Sequence, residues 1–155
     1  MVFSAQTQGS RIPAASGLVV LALLMFQATA ARAEVQVFGD YEVHYTAFRS
    51  TLVPASVAAA HGIIRSNTRI ITNVTVRREG QPVRAEVSGT VSNLLNQLFK
   101  LDFVEVTEET AVYYLASQVI DERDTLRYQL KVRPSGADTS YDISFMRQYF
   151  GGQSP

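Results

Sequence analysis

The chain has 155 residues, 14 Lys and Arg against 14 Asp and Glu, and neither cysteine nor tryptophan. A chain this long is most simply one domain, and zero formal charge offers no basic field to hold nucleic acid by its phosphates. Lack of cysteine excludes disulfides, thiolate zinc sites, a cysteine nucleophile and a cysteine-anchored lipid. An apolar content of 46% excludes disorder as the overall state.

Residues 1–33 have the order of a secretory signal. Arg11 is the only charge before the apolar run Gly17 to Phe26, and small residues lead to Ala31-Arg32-Ala33. The run is about half the length of a bilayer span, so cleavage after Ala33 is favoured over an uncleaved anchor, with Ala30 the second choice. Removing 1–33 leaves a single domain, 34–155, with 12 basic and 14 acidic residues and no second membrane-length run. The expected location is the periplasm.

From Tyr41 onward, short runs alternate between apolar and polar residues. The first joins Tyr41, Val43 and Tyr45. Pro54 to His61 then interrupts the pattern as a short helix: proline suits the first helical position, alanine has the highest propensity, and Gly62 can end the turn in the left-handed region. Strand alternation resumes over Ile70–Arg78, and Glu79-Gly80-Gln81-Pro82 reads as a hairpin turn. Val83–Val91, Phe99–Val106, Val112–Ile120, Leu126–Val132 and Tyr141 to as far as Phe150 follow, separated by turn-forming clusters. Period-two runs with polar residues between them predict an antiparallel all-β sandwich of about seven strands, with one short helix between early strands. Tyr41, Val43, Tyr45, Val74, Val87, Phe99, Leu101, Phe103, Tyr114, Leu126, Leu130 and Phe145 are the expected core.

The segments Phe38-Gly39-Asp40-Tyr41-Glu42-Val43-His44-Tyr45-Thr46-Ala47-Phe48-Arg49-Ser50-Thr51-Leu52 and Gly62-Ile63-Ile64-Arg65-Ser66 resemble the opening of a domain-of-unknown-function family of exported gammaproteobacterial proteins. Pro82–Thr90 and Val112–Ala116 resemble it too. The resemblance implies an immunoglobulin-like sandwich in the periplasm and transfers no activity. Arg49 stands where that family more often has a small polar amide, and His61 where it more often has tyrosine. A role resting on either residue is then not family-wide.

The polar residues of the opening motif form the candidate binding region: His44, Arg49, Ser50, Thr51 and Arg65. Ser50 with His44 or His61 supplies the residue types of nucleophilic hydrolysis. No Gly-x-Ser-x-Gly elbow accompanies them, and Ser50-Thr51 before Leu-Val-Pro reads more economically as a turn that bonds its own backbone. Glu42 and His44 fall on one strand face and supply two metal donors, with a third required from elsewhere. Arg77-Arg78 with Arg84 forms a basic spot on one hairpin. No cofactor motif is present, and no metal site is expected. The leading expectation is a non-catalytic binding module for a periplasmic protein or peptide. The alternative is a small-molecule-binding or hydrolytic protein with its site beside the helix.

Overall fold

Alternation becomes strand pairing across nearly the whole domain. The structure, a computed structural model, describes residues 33–108, 110–121 and 123–150. The expected signal, apart from Ala33, lies outside the described residues. The described residues form ten strands: β1 Glu34–Phe38, β2 Tyr41–Arg49, β3 Arg69–Arg78, β4 Gln81–Pro82, β5 Ala85–Ser92, β6 Leu98–Leu101, β7 Val104–Thr107, β8 Val112–Val119, β9 Asp124–Pro134 and β10 Tyr141–Tyr149. One sheet has the order β1-β2-β3-β8-β7, with β4 beside the end of β3, and the other has the order β10-β9-β5-β6. All pairings are antiparallel. The expected all-β sandwich is the observed fold.

The count of seven strands is corrected to ten, because three features were invisible to periodicity. The segment before Tyr41 is itself a strand, pairing Phe38 to Tyr41 and Glu34 to Tyr45. The hairpin after Arg78 turns on Glu79 and Gly80, both at positive φ, and Gln81-Pro82 is already paired back to β3. That is the two-residue turn whose twist suits a hairpin. The chain then leaves the first sheet at Val83-Arg84 and enters the second at Ala85. The single run expected over Phe99–Val106 likewise breaks at Asp102-Phe103, so that β6 and β7 belong to different sheets. Side chains cover the backbone groups at the first crossing: the Tyr114 hydroxyl accepts the Ala85 N–H at 2.7 Å and donates to Glu105 at 3.0 Å.

The core lies between the sheets. Tyr41, Val43, Tyr45, Val74, Leu101, Tyr114, Leu126 and Leu130 are buried as expected. Val87, Phe103 and Phe145 are half-buried against the core. Phe99 is the exception, 47% exposed although it shares a face with buried Leu101: β6 is an edge strand that pairs with β5 alone. Aromatic stacking links the sheets, with Phe145 lying 4.6 Å from the Tyr128 ring and 4.8 Å from Tyr45. A line of hydroxyls runs beside this stack. Gln118 donates to the Tyr128 hydroxyl at 3.1 Å, Tyr128 and Tyr149 stand 3.3 Å apart, and Tyr149 donates to the Ala47 carbonyl at 3.2 Å.

Two measurements test this packing. Gly89 lies opposite Leu130, and a Cβ there would meet a Leu130 methyl at 2.7 Å and the Gln129 carbonyl at 2.8 Å. Gly89→Ala is expected to destabilise the fold by about 1–3 kcal/mol in urea denaturation, as overpacking does. Burial raises the Tyr128 and Tyr149 hydroxyl pKa values above the ordinary tyrosine value. An unfolded tyrosine ionises near pH 10, so the stability these phenols contribute is complete below that pH and is lost progressively as pH rises above it towards the raised folded values. Spectrophotometric titration should show part of the tyrosine absorbance changing only together with cooperative alkaline unfolding.

Candidate functional site

The opening motif builds one end of the sandwich. After β2, a single 3-10 turn at Ser50–Leu52 leads into helix α1, Ala55–Ala60. The helix is two residues shorter than expected. Pro54 is its N-cap, not its first helical residue, and His61 is its C-cap. Gly62 follows at φ +64°, as expected for a left-handed stop. Val53, Ala58 and Ile71 form a small second core with Phe48, Ile63 and Leu115 against it. The helix thus covers one end of the outer face of the first sheet.

The polar residues of this corner are engaged in holding it closed. Ser50 is completely buried. Its hydroxyl donates to the Ser66 carbonyl at 3.1 Å and accepts the Ser66 N–H at 2.8 Å. Arg65 donates to the Thr51 carbonyl at 2.8 Å. Arg49 donates to the Asn67 carbonyl and, at 2.6 Å, to that of Phe150, while its guanidinium lies 5.8 Å from the Tyr149 ring centre. Arg49 therefore ties the corner to the end of β10. Ser50 bonds backbone, as the turn reading has it, and hydrogen-bonds neither histidine, so the alternative nucleophile–base pair is not assembled.

His44 stands apart from the other four. It lies five residues before Arg49 on β2, about 16 Å along an extended strand, and its ring nitrogen is 3.4 Å from Glu42. The expected face-sharing of this pair is observed, with no third donor added. The expected basic spot is divided between ion pairs: Arg78 meets Asp40 at 3.3 Å and Arg84 meets Glu105 at 3.5 Å.

A groove at the same end was not anticipated. It has a volume of about 480 Å³ between the β5–β6 loop, the β8–β9 turn and the end of β10. Asn93 organises its wall. Asn93 is nearly buried; its side-chain Oδ1 accepts the N–H groups of Leu95 and Gln97, at 3.0 and 2.9 Å, and its side-chain amide N–H donates to the Gln97 side chain at 2.6 Å. Asn96 adopts φ +58°, a conformation asparagine tolerates better than most residues. This turn holds Leu94 and Leu95 outward, Leu95 at 78% exposure, and Phe150 is 73% exposed on the groove's other side. The sequence carried a signal: two adjacent leucines that break the alternation, between two asparagines.

An antiparallel two-sheet sandwich with a hydrogen-bonded polar corner and an apolar end groove defines a small all-β domain. Residues 35–151 match the family described as a domain of unknown function, DUF4426, and the chain belongs to that family. The crystal structure of a DUF4426 family protein from Pseudomonas aeruginosa PAO1 is similar at 36% identity and a TM-score of 0.70, over 78% of this chain and 97% of that one. FetP of uropathogenic E. coli strain F11, recombinantly expressed in the periplasm of E. coli BL21(DE3), shares the fold at 13% identity and a TM-score of 0.55, over 78% and 95% of the two chains. A copper-bound Glu-to-Gln variant of FetP aligns equally well, with 12% identity, a TM-score of 0.55 and coverage of 77% and 95%. No curated protein matches.

Ser50→Ala is expected to destabilise the domain by about 1–3 kcal/mol, because it strands buried backbone partners. Ser50→Cys should recover little, since a thiol is a weak donor and acceptor. Urea denaturation of the two variants measures both effects.

Proposed function

We propose that the protein is an exported, non-catalytic binding module that works in the periplasm and docks a protein or peptide partner on its apolar end groove. One observation carries this reading: Asn93 uses its side chain to hold Leu94 and Leu95 in solvent. Large exposed apolar patches on soluble domains mark interaction sites. Burying one leucine against a partner contributes about 1.5–3 kcal/mol, so the pair with Phe150 forms a natural anchor.

The location rests on the charged, apolar and small-residue order of 1–33, with cleavage after Ala33 immediately before β1. The family match beginning at residue 35 and the periplasmic expression of FetP support it. Among the described residues no helix is long and apolar enough to cross a membrane. Hydrolysis is not part of the reading, because Ser50 is held by the Ser66 backbone. Among the described residues no group of three or more His, Cys, Asp or Glu is placed to hold an ion, and the reading invokes no metal.

A photoreactive side chain at Leu95 should crosslink a discrete partner in cells. The adduct should be absent with the same probe at Lys131 on the second sheet. It should fall about tenfold or more when Leu94→Asp is added. Equal labelling from Leu95 and Lys131 would overturn the groove as the docking surface.

A further inference from the structure

A second cavity lies on the outer face of the first sheet, away from the end groove and independent of its role. It has a volume of about 200 Å³, and its polar lining comes from His44 and Thr46 on β2, Asn73, Thr75 and Arg77 on β3, and Tyr113 on β8. Strand register makes this a continuous patch, because His44 pairs with Thr75 and Thr46 with Asn73. Leu115, the β8 partner of Asn73, packs into the small core under α1. The cavity thus begins where the helix cover stops.

Sheet faces in water usually satisfy their polar groups with solvent or neighbours, yet here several groups that line a recess have no partner. Thr46 is 8% exposed and its hydroxyl has no hydrogen-bond partner among the described residues. The Asn73 Oδ1 is buried and also has none. A buried acceptor without a donor costs about 1–3 kcal/mol, and such groups call for an explanation. Arg77 lies opposite Glu42 in register but forms no ion pair among the described residues. Glu42 instead lies beside His44.

We propose that this cavity binds a small carboxylate that also carries a hydrogen-bond donor, the chemistry shared by free α-amino acids and α-hydroxy acids. The free Arg77 guanidinium suits the carboxylate, since a charged donor makes the stronger hydrogen bonds. Asn73 Oδ1 requires the donor, which an ammonium or hydroxyl one carbon away supplies. Thr46 and Thr75 offer hydroxyls to either group, and Tyr113 and His44 form the walls. The volume equals roughly six or seven waters' share of liquid, which matches a molecule of about that many non-hydrogen atoms.

Calorimetric titration of the purified protein with L-alanine, lactate, propionate and alaninamide tests the assignment. L-alanine or lactate should bind, and whichever is tighter identifies the amino or the hydroxy acid as the ligand class. Propionate, which lacks the donor, and alaninamide, which lacks the carboxylate, should each bind about tenfold more weakly or worse. Arg77→Gln, at an exposed position, should abolish binding while the thermal midpoint stays unchanged. Asn73→Leu should remove the preference over propionate. The proposal is overturned if none of the four binds at tens of millimolar, if propionate equals the better of L-alanine and lactate, or if Arg77→Gln leaves the titration unchanged.

Discussion

Two sheets without a covalent staple depend on what lies between them, and here that includes a phenol that cannot reach water. The Tyr128 hydroxyl sits in the core with Gln118 of the first sheet on one side and Tyr149 of the second on the other. Tyr149 passes the chain back to the first sheet through the Ala47 carbonyl. Apolar contacts alone tolerate sliding, because they are non-directional. Hydrogen bonds in a low-dielectric core do not, because a misplaced hydroxyl loses its partner and the cost of its burial remains. Phe145, stacked on Tyr128 and tilted against Tyr45 of the other sheet, then fills the space between the sheets. The packing of β2, β8, β9 and β10 follows from this one arrangement.

The same economy accounts for the corner. A strand that ends in a buried turn leaves backbone groups that need partners. Ser50 supplies them for Ser66, Arg65 caps Thr51, and Arg49 reaches the last residues of β10. A region dense in serine, threonine and arginine is therefore structural at its centre. Binding potential lies in the surfaces that this bracing leaves open. One is the apolar groove, whose wall is stiffened by Asn93. The other is the polar recess beyond the edge of α1. Both are concave, and both are built on paired strands or hydrogen-bonded turns.

Shared architecture at low identity carries a fold across proteins and leaves function to the sites built on it. The DUF4426 sandwich illustrates the distinction. Its strand order and inter-sheet core are general solutions to burying one face of each sheet. Leu94-Leu95 and the Thr46–Asn73–Arg77 recess are local departures from that solution. The first leaves apolar groups in water and the second leaves polar groups without partners.

Much of the fold was legible in the sequence, because strand periodicity is a local property. Val43, Tyr45, Leu126 and Leu130 had to share faces with their neighbours two residues away, whatever lay opposite. Pro54, the alanines and Gly62 marked the helix for equally local reasons. Periodicity does not say which sheet a strand joins. The break at Val83-Arg84 continues an apolar alternation, and β6 runs into β7 with only Asp102-Phe103 between them, so both crossings were hidden. Phe99 was misplaced in the core because its exposure depends on β6 lying at an edge. The candidate residues divide in the same way. The Glu42–His44 pairing followed from spacing along one strand. The assignments of Ser50 to Ser66, and of Arg49 to Phe150, required segments 16 and 101 residues apart to meet. Composition and pattern determined an all-β chain and most of its inward faces. Tertiary structure alone decided which polar groups find partners and which remain open, because hydrogen-bond satisfaction is settled by neighbours distant in the chain.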